Sequence, residues 1–148
     1  MGQQQLLLIV LSVIIVGVAV AVGVTQFKSG AVDSNRQAVI GDLVNLGAKA
    51  QRYYRTPLEL GGGKQDFNGF GLLSANEYSN ANGNYQVVAT APTGTSAITA
   101  AASSIAATDQ EIFIVGSGTE TGNNGVDPLK VYARVTADSI IVVNPPLN

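Results

Sequence analysis

Nineteen consecutive residues near the start of the chain, Leu6 to Val24, carry no charged side chain, and the first charge in the sequence is Lys28. A helix rises about 1.5 Å per residue, so this run spans about 28 Å, close to the ~30 Å hydrocarbon core of a bilayer. Such a segment is stable in lipid, or in packing that replaces lipid. No loop signal follows it. Apolar residues continue at Val32, Val39, Leu43, Leu46, Ala50 and Tyr53/Tyr54, steps that fall on one face of a helix. The pattern predicts a single helix from near Gln3 to about Arg55, roughly 80 Å long. It is apolar on all sides over residues 1–27, amphipathic over 28–55, and stopped by Pro57. Residues 56–148 are then enough for one small head with a modest core.

Composition narrows the chemistry. The 148 residues include no Cys and no His, which excludes disulfide staples, thiolate or imidazole metal sites, and catalysis built on either side chain. An enzyme would have to work with carboxylates, hydroxyls, Tyr and Lys alone, and no carboxylate pair or nucleophile–base set stands out. No catalytic residue and no cofactor is therefore expected. The charge is also divided. Residues 1–55 hold five cations (Lys28, Arg36, Lys49, Arg52, Arg55) against Asp33 and Asp42, whereas residues 56–148 hold three cations against eight carboxylates. A basic stalk and an acidic head suit packing of one copy's head against another's stalk, although solvated surface charge accounts for the same residues. The acidic head argues against a nucleic-acid partner, which needs clustered Lys and Arg.

A secretory signal would begin with a positive stretch and have a shorter apolar core. Ala19-Val20-Ala21 has the small-x-small form of a cleavage site, but no Lys or Arg precedes position 28. A single-span anchor fits the length, and with cations only on its C-terminal flank the positive-inside rule places the head in the cytoplasm. A basic leader already removed would supply the missing charge.

In this layout the N-terminus resembles those of type IV pilins and the related pseudopilins of type II secretion. Met1-Gly2-Gln3-Gln4-Gln5 followed by Leu6-Leu7-Leu8-Ile9-Val10 fits their frame of a short mature N-terminus, a fifth-position glutamate and an aliphatic helix, if Met1 is the mature first residue. Gly17 and Gly23 fall near the family's helix-weakening positions, and Thr25-Gln26-Phe27 is similar to the Pro-Gln-Phe that often ends its aliphatic stretch. The likeness covers about 55 residues. It departs at Gln5, a neutral amide where the family has a carboxylate paired with a neighbour's terminal amine, and in lacking the C-terminal disulfide loop of many adhesive pilins. Cleavage after Gly2 would put Leu7 at the fifth position, a poorer fit.

The resemblance implies an α+β fold, a long N-terminal helix packed on a small antiparallel sheet. It also implies a function: the major structural subunit of an extracellular, pilus-like filament, membrane-embedded before assembly and polymerised through its N-terminal helix. Met1, Gln5, Leu6, Leu7, Gly17 and Gly23 are the implied assembly positions. The implied partners are identical copies in a helical homo-oligomer, the inner membrane, a prepilin peptidase and an assembly machinery. Pseudopilin of a secretion system and membrane-anchored binding domain stand as alternatives.

In the head, Tyr85–Ala91, Glu111–Val115, Leu129–Val135 and Ser139–Val143 read as strands, the last two joined through Ala137-Asp138 as a hairpin. About four strands are expected. Residues 61–70 read as a Gly-rich surface loop held down by Phe67 and Phe70. A phosphate cradle there lacks the following Gly-Lys-Ser/Thr. Between residues 93 and 108, Ile98, Ala102 and Ile105 fit one face of a short helix, with an extended, O-glycosylated segment as the alternative. Gly116-Ser-Gly118-Thr-Glu-Thr121 follows a strand like a dinucleotide fingerprint, but its third glycine is Thr121 and Gly122-Asn-Asn-Gly125 prevents a helix. Glu120, Asn123, Asn124 and Asp127 offer oxygen ligands of the kind calcium takes, and the major pseudopilins carry calcium in a C-terminal loop. Ordinary turn chemistry explains the same residues.

Overall fold

The computed structural model describes residues 2–94, 98–106, 110–122 and 124–143. Helix α1 runs without a break from Gly2 to Arg55, passing straight through Gly17 and Gly23. Its end is closed by the loop that follows. The amides of Gly63 and Gln65 donate to the carbonyls of Tyr53 and Tyr54 at 2.9 and 2.8 Å, and the Thr56 hydroxyl donates to Arg52 O at 2.7 Å. These are carbonyls that every helix end leaves without an internal partner. Arg52 and Arg55 in the last turn add cations where the helix dipole is negative. The Gly-rich loop is thus the cap of the stalk. A Cβ on Gly62 would stand 2.1 Å from Thr56 O, so the loop can fold back only with glycine there.

The head carries two antiparallel sheets. Strands β2 (Ser79–Asn80), β3 (Gly83–Val88), β5 (Glu111–Thr121), β6 (Pro128–Thr136) and β7 (Ile140–Val143) form one five-stranded sheet in the order β2-β3-β5-β6-β7. Strands β1 (Gly71–Leu72) and β4 (Ser103–Ser104) form a second, two-stranded one. A 3-10 turn at Leu58–Leu60 and a short helix α2 at Ala75–Tyr78 complete the chain order. Strands β6 and β7 pair as the hairpin their sequence predicts, Val135 opposite Ile140. The fold is α+β, one long helix laid on a small antiparallel sheet.

Only the second half of α1 touches the head. Its buried positions are Val32, Val39, Leu43, Gly47 and Ala50, of which Val39, Leu43 and Ala50 join Tyr85, Val87, Ile112, Ile114, Val131 and Val135 in one core. Gly47 takes a central place where the apolar pattern points to Leu46, because at that point helix and sheet are close. A Cβ at Gly47 would lie 3.1 Å from Ile140 Cδ1, while Leu46 packs at the margin. Phe67 and Phe70 are buried as expected, against Tyr54 and Tyr53 with ring centroids 4.8 and 5.6 Å apart.

Three sequence expectations are corrected. First, β5 does not end at Val115 but continues to Thr121, so Gly116–Thr121 is strand rather than loop. The glycines there let the helix come close: a Cβ on Gly116 would sit 2.7 Å from Val39 Cγ1, and one on Gly118 would sit 2.0 Å from Asn35 Oδ1. Second, the strand read as Tyr85–Ala91 begins two residues earlier and stops at Val88, and three short strands, β1, β2 and β4, raise the total among the described residues to seven. Third, the described residues 98–106 contain no helix. Ile98 and Ile105 are buried while Ala102 is exposed, so the three share no face. This segment instead covers the outer edge of β3, with Val87 N donating to Ser103 Oγ at 2.9 Å and Asn84 Nδ2 to Ile98 O at 3.2 Å. Edge coverage supplies partners that a local helix would leave unmade.

Candidate assembly surface

The apolar half of α1, from Gly2 to Phe27, is about 39 Å long at the standard rise. Every large aliphatic side chain from Leu6 to Val24 is between 49 % and 67 % exposed, and Phe27 is 85 % exposed. An 18-residue window of this helix reaches a mean hydropathy of 3.1 with none of it buried, which makes it long and apolar enough to cross a membrane. Leaving such side chains in water costs about 1.5–3 kcal/mol each relative to burying them. A contiguous apolar surface of this size marks a membrane or protein contact. The hydroxyls in and beside the run need no solvent: Ser12 donates to Ile9 O at 2.7 Å and Thr25 to Val22 O at 2.8 Å. Each polar group is thus satisfied within the helix, as apolar surroundings require.

Of the residues singled out for assembly, Gln5, Leu6 and Leu7 lie exposed on the first turns of α1, and Met1 falls outside the described residues. A Cβ at Gly17 or Gly23 would meet nothing within 4 Å, so no contact inside the chain calls for glycine at either place. The calcium candidates sit in different local structures. Glu120 is in strand β5, Asn123 lies outside the described residues, and Asn124 is engaged in a turn. Its Oδ1 accepts from Val126 N and Asp127 N, both at 3.1 Å, and its Nδ2 donates to Asp127 Oδ2 at 2.9 Å. Among the described residues no group of three or more His, Cys, Asp or Glu could hold a metal ion.

Where the helix reaches the head, a cleft of about 270 Å³ opens between Lys28, Ser29, Val32 and Asp33 on one side and Gly122 and Gly125 on the other. Arg36 Nη1 stands 3.5 Å from Asp33 Oδ1. Its Nε and Nη2 are buried and make no hydrogen bond among the described residues.

Two latches that the sequence reading did not single out hold stalk and head in one orientation. Asp42 Oδ2 accepts three bonds, from Tyr85 Oη at 2.6 Å, Asn82 Nδ2 at 2.8 Å and Asn80 Nδ2 at 2.9 Å. Burial pushes the Asp42 carboxyl up, but the bonds from Asn82, Tyr85 and Asn80 together outweigh it and hold the group below the usual aspartate range. Burial and the neighbouring Asp42 charge push the Tyr85 phenol far up. Asn35 forms the second latch, donating to Asn82 O at 2.9 Å and accepting from Glu120 N at 3.4 Å. Nearer the helix end, the Lys49–Glu77 ion pair holds the Glu77 carboxyl below its ordinary value. Asp42, one of two carboxylates on the helix, and the Asn-rich hairpin Asn80-Ala-Asn-Gly-Asn84 are the sequence signals for the first latch.

Comparison with protein-family models, with curated proteins and with solved structures finds no match to this chain.

Proposed function

We propose that this chain is the major structural subunit of a type IV pilus-like extracellular filament. The observation that carries the reading is the unbroken helix, whose apolar half is wholly exposed while its other half is fixed to a folded head. Before assembly the apolar half lies in a membrane. On assembly it leaves lipid for a bundle of identical helices, exchanging one apolar environment for another at little hydrophobic cost. The latches at Asp42 and Asn35 make stalk and head one rigid unit, which a repeating polymer needs if every copy is to present the same surfaces.

The test is electron microscopy of material sheared from cells that express the chain, beside a Val13→Lys variant. Wild type is expected to give filaments of constant width. The variant, with a cation in the middle of the apolar run, is expected to give none while its membrane-bound pool persists. Wild-type chain found only in the membrane, with no sheared polymer, would replace this reading with that of a single-span anchored domain. Short fibres confined to the cell envelope would replace it with the pseudopilin reading.

A further inference from the structure

We infer that Lys28 of one copy pairs with Asp33 of the next, and that this contact sets the axial stagger between neighbouring helices. The inference rests on the polymer proposed above. The helix carries two carboxylates, Asp33 and Asp42, and Asp42 already accepts three hydrogen bonds on one oxygen from the head of its own chain. Asp33 is different. Its side chain is 63 % exposed, and its one ion-pair contact is the 3.5 Å approach of Arg36 to Oδ1, so a carboxylate's remaining lone pairs face outward.

Lys28 is exposed and has no ion-pair partner among the described residues. It cannot use its own Asp33, because residues five apart do not face each other on a helix as those three or four apart do. The two stand on either side of the head-facing Val32, at about 40° and about 100° from it at 3.6 residues per turn. One helix therefore offers a cation on one flank and an anion on the other. Such a pair is self-complementary only between different copies placed side by side, which is a heterologous contact that propagates instead of closing into a dimer.

Position supplies the energetic reason. Lys28 is the first charge after the uncharged run and lies one residue beyond Phe27. Packing of the apolar halves brings neighbours against it and removes water, and an ammonium buried without an anion is strongly unfavourable. Alignment of Lys28 with a neighbour's Asp33 satisfies it. For parallel helices the five-residue offset corresponds to a stagger of about 7.5 Å at the standard rise, a registration the apolar run cannot provide because its side chains are alike along its length.

The experiment compares sheared filament yield for wild type, Lys28→Asp, Asp33→Lys and the double exchange, with near-ultraviolet dichroism of the detergent-extracted chain to report the head. Each single reversal is expected to lower the yield at least about ten-fold and the exchange to restore most of it, since breaking a desolvated pair costs far more than inverting it. A second measurement uses the absence of native cysteine. Filaments co-assembled from Lys28→Cys chains and Asp33→Cys chains should give a crosslinked dimer on mild oxidation, and the variant carrying both substitutions a ladder of multimers. Wild-type yields from both single reversals, or intact filaments that give only monomer after oxidation, would overturn the pairing while leaving the polymer standing. An absence of filaments from wild-type chain would remove the polymer reading and the pairing with it.

Discussion

Tyr85 Oη, at the centre of strand β3, donates to Asp42 Oδ2 on helix α1 across 2.6 Å. The pair joins positions 43 residues apart and ties the sheet to the stalk at the level where the core begins. Removing the hydroxyl in Tyr85→Phe leaves Asp42 with the two amide donors, and the head is expected to lose about 1.5–3 kcal/mol, the usual range for a hydrogen bond to a charged group. Thermal unfolding of the detergent-solubilised chain measures it.

The same carboxylate gives the head an acid limit. Asp42 and Glu77 both titrate below their ordinary values in the folded chain, so the unfolded state binds protons first as the pH falls. Their contribution is fully present above the unfolded values, about 3.9 for Asp and 4.3 for Glu, and is lost as the pH drops through the lowered folded values. Stability should therefore be flat from neutral pH down to about 5 and fall steeply below about 4. Asp42→Asn should reduce the steepness of that acid limb, measured as melting temperature against pH.

Gly116 is a position of close approach. Gly116→Ala places a methyl group 2.7 Å from Val39 Cγ1 and 3.1 Å from Tyr85 Cε1, and the resulting overpacking should cost about 1–3 kcal/mol. Adding Val39→Ala relieves the clash with Val39 and should recover part of the loss, a non-additive outcome that a double-mutant cycle reads directly.

Removal of residues 1–27 should leave a soluble, folded, monomeric domain, because α1 has no buried residue before Val32. Analytical ultracentrifugation gives the state. Long fibres from that fragment would place assembly in the head rather than in the apolar helix.

At the first turns, Gln5→Ala should reduce filament yield with the head unchanged, and Gln5→Glu should be tolerated through pairing with a neighbour's terminal amine. Equal yields from Gln5→Ala and wild type would remove position 5 from assembly.

The amino-acid order alone made legible the long helix, its stop at Pro57 and the β6–β7 hairpin. Each follows from local causes: hydrophobic period, a missing amide, and a short polar turn between β-branched runs. It also pointed to the apolar run as the surface most in need of a partner, since no part of a head this small could cover it. Tertiary structure alone decided the rest. Gly116 and Gly118 read as loop residues because glycine is common in loops, yet they lie in the central strand, where the helix leaves no room for a Cβ. Ile98 and Ile105 carry a helical spacing, but Asn84 on β3 donates to the Ile98 carbonyl and the backbone of Gly69 and Phe70 pairs with that of Ile105. The partners of Asp42 come from residues 80, 82 and 85, and no window short enough to show periodicity contains both sides of that latch. Contacts between segments far apart in the chain are made by the packing of helix on sheet, and the sequence shows only which side chains are free to make them.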